Sequence, residues 1–569
     1  MIRIRHFGGP QWGIESTSYS PTVHTECKAT PGMTWQAERR MWCGYVDAVD
    51  AAARRLTAKG IRILDLGAIP DPTAPTGPIL APLALTDLRD YQKEGVAFLV
   101  AHAAEGAFLA DEVGLGKTVQ ALRAARALRG KTVIVVPNFL KSVWLTGIAG
   151  DKELDPPTPS GWPGQKVLVL KGTTTTPPSA GSKKPSKAVR DSLALVEQLK
   201  TPGAVDIVII NYDILYAWVD VLLAWEPKTV VLDEAHLLMG DKARRTRAAE
   251  RLGAMTPNRM ALSATPMTSR PRDLWAPIQV LSPGRFGMPF LFYKRHCAAY
   301  QERVNAERVV WNTKGSADLP ELRRRLQFFM LRRTKDDVGM QLPPRTRQII
   351  EVEVERRFQL SMAVALQNDE SLRRALDMAA DGKLSDVAQL ALGHAQEGSK
   401  VIIGTWRKSV AEELANALRV VDVDARVITG DTNPKQRKLI LDAKPTVVCA
   451  TLDSMGMGLD LTYANVGICA ELPYVPSKLV QWEGRLHRFR QLFPTLFQYV
   501  VAVGTADELI RDTIIRKMST FAAGIGKSSD GLQQDLEGGD KSPSEVLRGL
   551  FARMQAKKKA NPNAEIIED

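Results

Sequence analysis

Short stretches of this chain carry side chains that can hold a phosphate and bring water against it. The first is GAFLADEVGLGKTVQALRAA, residues 106–125. It reads as a buried strand, a glycine-bearing turn and a helix that opens at Lys117-Thr118. Backbone N–H groups of such a turn, backed by the positive end of the helix, form an anion socket. Gly114, Leu115 and Gly116 make the turn. Lys117 can reach the β- and γ-phosphates of ATP, and Thr118 can place its hydroxyl on Mg²⁺. The strict pattern G-x-x-x-x-G-K-[ST] is not met, because Asp111 stands at the first glycine.

The second stretch is VVLDEAHLL, residues 230–238, an apolar run ending in two carboxylates. At the end of a strand in the same sheet, Asp233 can hold the metal through water and Glu234 can orient or deprotonate the attacking water. A helix-capping Asp-Glu pair is the plainer alternative. His236 would link this site to the next motif, LSATP (262–266), where Ser263 and Thr265 are suited to relay loss of the γ-phosphate. In QWEGRLHRFRQ (481–491), Arg485 and Arg488 fall at i and i+3, which on a helix is one face. Two guanidinium groups so placed can stabilise phosphoryl-transfer charge as arginine fingers; a solvated basic face is the plainer alternative.

Positioning such groups takes parallel sheets. GAFLA, TVIVVP, KVLVL, VDIVII, TVVLD and MALSAT, between residues 106 and 265, are apolar throughout and separated by helical stretches. That pattern predicts a parallel sheet covered on both faces. A second series, KVIIGT, ARVITG, TVVCAT, NVGICAEL and LFQYVVAVG, runs from residue 400 to 504. The fold class is therefore α/β, with two tandem lobes of like kind. The expected division is a small α+β module at 1–68, a Pro-rich linker at 69–84, a first lobe at 85–285, a helical insertion and connector at 286–397, a second lobe at 398–523, and a disordered tail at 524–569.

Composition agrees with a globular chain of several domains. The 569 residues are 44% hydrophobic and 24% charged, with a net charge of +13. A basic balance favours a polyanionic partner such as nucleic acid. No apolar run approaches the roughly 18 residues of a membrane span, and MIRIRHFGGPQW lacks a secretory core. Cys27, Cys43, Cys297, Cys449 and Cys469 are scattered, which predicts reduced thiols and no structural zinc. GIGKSS (524–529) superficially repeats the phosphate-loop pattern. It follows a helical stretch rather than a buried strand, and reads as a loop.

The ordered set LRDYQKEGVAFL, ADEVGLGKT, VVPNFLKSVW, LDEAH, LSATP, ATLDSMGMGLDLT and QWEGRLHR resembles that of superfamily-two helicases. LRRTKDDVGMQLPPRT (331–346), and HRFRQ followed by GTADELI, resemble the Swi/Snf-type branch. The likeness covers about residues 85–520. It implies two RecA-like P-loop lobes that hydrolyse ATP with Mg²⁺ and track along double-stranded DNA.

Carried over by motif, Gln92 would read adenine, with Arg89 nearby. Gly458 and Asp460 would lie beside the nucleotide. Lys141, Trp144, Thr429, Gly430, Thr451 and Ser454 would face the nucleic-acid backbone. ADE-x-G-x-GKT is the form of the phosphate loop in this branch, which accounts for Asp111. One departure is Gly484, standing where the branch carries Asp before the first finger, as in strand-separating members. The short insertions resemble a minimal motor, closer to a bacterial or viral member than to a nucleosome remodeller.

Residues 27–56 resemble the small HARP-type domain of annealing helicases at Lys28, Pro31, Gly32, Trp35 and Trp42. The two Trp residues suit either base stacking on branched or single-stranded DNA or a buried core. The expected function is an ATP-dependent DNA translocase acting on duplex or branched DNA. The alternatives are a strand-separating DNA or RNA helicase and a nucleotide-gated binding protein. RNA is the weaker expectation as partner, and no membrane is expected. The expected setting is a bacterial or virus-infected host cytoplasm, associated with the nucleoid.

Overall fold

A computed structural model describes residues 2–72, 87–150, 161–176, 186–240, 242–303, 309–359, 369–455 and 459–525. The chain forms two compact units. Of the described residues, one holds those up to Gly339 together with residues 520–525; the other begins at Met340 and runs to Ser519.

The first unit holds a seven-stranded, all-parallel sheet. Its order is Met330–Leu331, Ala107–Leu109, Asn258–Leu262, Thr229–Asp233, Thr132–Val136, Ile207–Asn211 and Val167–Val169. Every residue of Thr229–Asp233, Thr132–Val136 and Ile207–Asn211 is buried. Such strands must be apolar on both faces, which is why they read as continuous runs in the sequence. The strand that ends in Asp233 and the one that feeds the phosphate loop are both paired to Asn258–Leu262. Strand order thus brings the acidic and the basic motif to carboxyl ends on either side of Asn258–Leu262, where ligands bind in open α/β sheets.

A five-stranded mixed sheet opens the same unit, in the order Thr34–Gln36, Met41–Gly44, Trp12–Ser16, Ile2–His6 and Ile63–Leu64. Ile2 and Ile4 are buried while Arg3 and Arg5 point outward, the alternation of a half-covered strand. The helix Val46–Ala58 lays Ala48, Val49, Ala52, Ala53 and Leu56 into the core. It also places Asp47, fully buried, between two fully buried arginines. Arg325 donates to Asp47 Oδ2 from Nε at 2.9 Å, and Arg285 donates to Oδ1 at 3.0 Å. Arg285 lies over Tyr45 and Phe329, and Arg325 over Phe286. Gly32 packs so closely here that a Cβ would sit 1.9 Å from the Arg285 carbonyl oxygen, at a φ of +89°.

The second unit holds a six-stranded parallel sheet, in the order Arg345–Val352, Thr495–Ala502, Val466–Cys469, Val401–Thr405, Val447–Thr451 and Ala425–Ile428. Residues 286–397 hold strands as well as helices. They contain a hairpin, Tyr300–Arg303 with Val309–Asn312, and two strands that join different sheets, Met330–Leu331 and Arg345–Val352. The expected tail lies outside the described residues beyond Ile525, as does most of the expected linker. No described helix is long and apolar enough to cross a membrane.

Candidate active site

The phosphate loop joins Ala107–Leu109 to the helix Lys117–Leu128. Gly114 and Gly116 have φ of +94° and +76°. A Cβ at position 116 would lie 2.5 Å from Gln92 Nε2, a side-chain end that can yield, so it is the positive φ that calls for glycine. Gln92 Nε2 donates to the Leu115 carbonyl at 3.4 Å, and its Oε1 accepts from the Arg89 backbone N–H at 3.1 Å. The sequence-expected adenine reader thus rests on the loop. Lys117 Nζ donates to the carbonyls of Asp111 and Glu112 at 2.8 and 3.2 Å. Burial pushes the Lys117 pKa down, opposed by the charges of Glu234, Asp111 and Asp233.

Asp233 ends its strand buried. Its Oδ2 accepts from Trp144 Nε1 at 2.7 Å, its Oδ1 from the Glu234 backbone N–H at 2.9 Å, and its carbonyl from the Tyr212 hydroxyl at 2.7 Å. Burial, then the adjacent Glu234 charge, raise the Asp233 pKa to about 6. Glu234 sits at φ +49°, ψ +49°, the left-handed region that non-glycine residues seldom adopt. Its Oε2 lies 3.2 Å from His236 Nδ1, which is also 2.9 Å from Ser263 Oγ. Ser263 Oγ accepts from the Thr265 backbone N–H at 3.1 Å. The structure therefore brings Glu234, His236, Ser263 and Thr265 into one chain of contacts.

The candidate donors Thr118 and Asp233 are hard oxygens, the chemistry Mg²⁺ takes when phosphate and water complete its shell. Burial first, then the adjacent Glu234 charge, disfavour the ionised Asp233 carboxylate, a cost that a bound cation would offset. The residues fit the ion. Among the described residues, no cluster of three or more His, Cys, Asp or Glu could hold a metal ion.

Arg485 and Arg488 belong to the second unit. The expected common helical face is corrected. The helix Pro476–Leu486 ends before Arg488, because His487 turns out of helical backbone at φ −97°, ψ +82°. Arg485 lies in its last turn. One residue before Gly484, buried Glu483 accepts from Arg347 Nε at 2.7 Å, from Arg345 at 3.2 Å and from the Tyr499 hydroxyl. That network pins the helix to the strands Arg345–Val352 and Thr495–Ala502.

Two expected nucleic-acid contacts are corrected. Trp144 is fully buried on Asp233. Ser454 is fully buried and its hydroxyl donates to the carbonyls of Ile428 and Thr451. Thr429 and Thr451 are also buried, and Gly430 is exposed. Lys141 Nζ donates to Asn211 Oδ1 at 2.7 Å and to the Leu170 carbonyl at 3.1 Å. Burial, then Lys171, lower its pKa to about 8. Asp460 is exposed and accepts from the Thr462 hydroxyl at 2.8 Å, while Gly458 lies outside the described residues. In the N-terminal module the two tryptophans part ways: Trp42 is core and Trp35 is 51% exposed. Tyr212 and Trp144, which fix Asp233, gave no sign of that role beyond being aromatics on apolar helices.

Residues 91–362 match the SNF2-related domain, and residues 382–490 match the helicase conserved C-terminal domain. A SWI/SNF-related matrix-associated actin-dependent regulator of chromatin subfamily A-like protein 1 from Xenopus tropicalis is 28% identical over 84% of this chain and 50% of its own length. The DNA annealing helicase and endonuclease ZRANB3 of Mus musculus is 24% identical over 79% of this chain and 42% of its own. The chain thus spans about half the length of these curated relatives. The solved SWI2/SNF2 ATPase core of Sulfolobus solfataricus in complex with dsDNA is similar over 80% of this chain and 96% of its own, at 19% identity and a TM-score of 0.37.

The expected bacterial or viral cytoplasmic setting is withdrawn. The relatives named here, with others from Drosophila melanogaster and Caenorhabditis elegans, are animal proteins, several of them named as regulators of chromatin. The chain thus carries an SNF2-related domain followed by a helicase conserved C-terminal domain, in the order its motifs predict for a Swi/Snf-type superfamily-two ATPase.

Proposed function

We propose that this chain is an ATP-driven motor that hydrolyses ATP at the phosphate loop of its first lobe and tracks along DNA. The observation that carries this reading is the gathering of Lys117, Asp233 and Glu234 at the carboxyl ends of the two strands that flank Asn258–Leu262, close enough for both carboxylates to act on the lysine's charge. Arg89 and Gln92 take the adenine, and the turn Gly114–Thr118 takes the phosphates. Lys117 leaves the loop carbonyls for the β- and γ-phosphates. Thr118 and Asp233 hold Mg²⁺, which when bound neutralises phosphate charge. Glu234 orients the attacking water and accepts its proton; His236 and Ser263 carry the resulting change along their shared contact. Arg485 and Arg488 are the candidate arginine fingers.

DNA, as duplex or as a branched form, is the proposed track. The net charge of +13 supports a polyanion, and one relative is named a DNA annealing helicase. Lys141, Thr429, Gly430 and Thr451 are the backbone-facing candidates that remain. On the N-terminal module, exposed Trp35 with Lys28, Arg39 and Arg40 forms a basic, aromatic surface suited to an unpaired base at a branch. Gly484 favours a second reading, strand separation. Displacement of a triplex-forming strand tests tracking, and displacement from a tailed duplex tests unwinding. Triplex displacement without unwinding supports the first reading; unwinding without triplex displacement replaces it with the second.

A further inference from the structure

Asp111 replaces the first glycine of the strict phosphate-loop pattern, and its carboxylate is fully buried. Arg333 meets it fork to fork: Nε donates to Oδ1 at 3.1 Å and one terminal nitrogen donates to Oδ2 at 2.6 Å. The Arg333 backbone N–H also donates to Oδ1, at 3.1 Å. The same guanidinium donates to Gln120 Oε1 at 3.1 Å, to the Tyr91 carbonyl, and to Glu94 Oε2 at 3.4 Å. Gln120 in turn donates to Asp111 Oδ2 and to the Leu115 carbonyl.

One side chain therefore touches three parts of the nucleotide site. These are the helix Asp90–His102, which carries Gln92; the phosphate loop; and the helix Lys117–Leu128. The packing is tight, since a Cβ at Gly95 would lie 1.8 Å from Gln120 Oε1 and 2.8 Å from the Arg333 guanidinium. The flanking residues repeat the pattern. The Glu112 N–H donates to the Arg333 carbonyl, and Glu112 Oε2 accepts from the Lys335 N–H, both at 2.9 Å. Arg332 donates to the carbonyls of Ala110 and Ala264, both at 3.0 Å. Residues 332–335 thus span the loop and the LSATP turn.

We propose that Arg333 is a positioning residue of the nucleotide site, setting the phosphate loop against the helix that carries Gln92. The setting depends on residues 331–335 being seated beside the sheet, so the segment that leads toward the second unit shapes the ATP pocket. Planar, bidentate geometry is what a guanidinium supplies and an ammonium does not. This proposal rests on the ATP reading above.

The test uses the full chain and Arg333→Lys, which keeps the charge and removes the fork. Steady-state ATP hydrolysis gives KM and kcat, a fluorescent ATP analogue gives affinity without DNA, and thermal melting reports folding. The expected result is a KM raised about tenfold and analogue affinity weakened in parallel, with kcat at saturating ATP held within about threefold. An unchanged KM, or a fall in kcat alone, overturns the proposal. Failure of the parent chain to bind or hydrolyse ATP instead sinks the ATP reading. If Arg333→Lys shows no cooperative melt, isosteric Asp111→Asn must give the same KM-selective effect. If both variants lose the melt, the pair is structural and the proposal fails.

Discussion

Trp144 Nε1 donates to Asp233 Oδ2 at 2.7 Å, with the indole wholly buried. A residue that its motif assigned to the nucleic-acid face instead steadies the acidic strand end. Trp144→Phe keeps most of the packing and removes the hydrogen bond. It should lower kcat by about tenfold through misplacement of Asp233, with DNA affinity unchanged. Paired ATPase and DNA-binding titrations check this; weakened DNA binding at constant kcat would restore the motif's assignment.

Glu234→Gln keeps the side chain's size and removes the base. Turnover should fall by at least about 100-fold while the analogue still binds. Unchanged hydrolysis in that variant removes Glu234 from the mechanism.

Asp47→Ala strands Arg325 and leaves Arg285 with Glu105 alone, 3.5 Å away. Arg285 and Arg325 are fully buried, and losing a shared counter-charge of this kind costs about 3–5 kcal/mol. Urea unfolding of the full chain should show the loss in the transition of the first unit. A midpoint at the parent value would mean the N-terminal module docks without this pair.

Trp35→Ala and Trp42→Ala should separate cleanly. The first should weaken binding to branched or single-stranded DNA by about 1–3 kcal/mol without moving the melting temperature. The second, in the core, should cost about 3–5 kcal/mol of stability. A loss of stability from the Trp35 change alone would place that ring in the fold rather than on a binding surface.

Acid should destabilise the first unit through its buried histidines, opposed below about pH 6 by Asp233, whose raised pKa makes the folded chain bind a proton there. Burial holds His296 neutral, with its pKa lowered to about 3, and His102 with its pKa lowered to about 4. The unfolded chain binds protons at both near pH 6.5, so stability is full above that pH and falls as pH drops toward the folded values. His296→Phe should flatten the slope of unfolding free energy between pH 5 and 6 by about 1.4 kcal/mol per pH unit. Parallel slopes in parent and variant would contradict a buried neutral ring.

Much of this was legible because local pattern decides it. Continuous apolar runs such as TVVLD marked both parallel sheets, and the residues after them marked the phosphate loop and the acidic strand end. What was not legible depends on partners distant in sequence. Asp47 and Arg325 are 278 residues apart, and nothing local joins them. Met330–Leu331 is too short to show a strand period, yet it pairs with Phe108 and Leu109. The shared face expected for Arg485 and Arg488 failed because helical spacing was extended past His487, where the backbone turns. Trp144 and Ser454 were misplaced because a motif gives a residue's neighbourhood but not which way it points.

The central claim is ATP hydrolysis coupled to DNA. Its most direct test is the steady-state ATPase rate of the full chain alone, with duplex DNA, with single-stranded DNA, with forked or junction DNA, and with RNA. The account predicts a low basal rate raised most by duplex or branched DNA and abolished by Lys117→Ala. A rate raised by RNA alone, or one that stays flat across the panel, would contradict it.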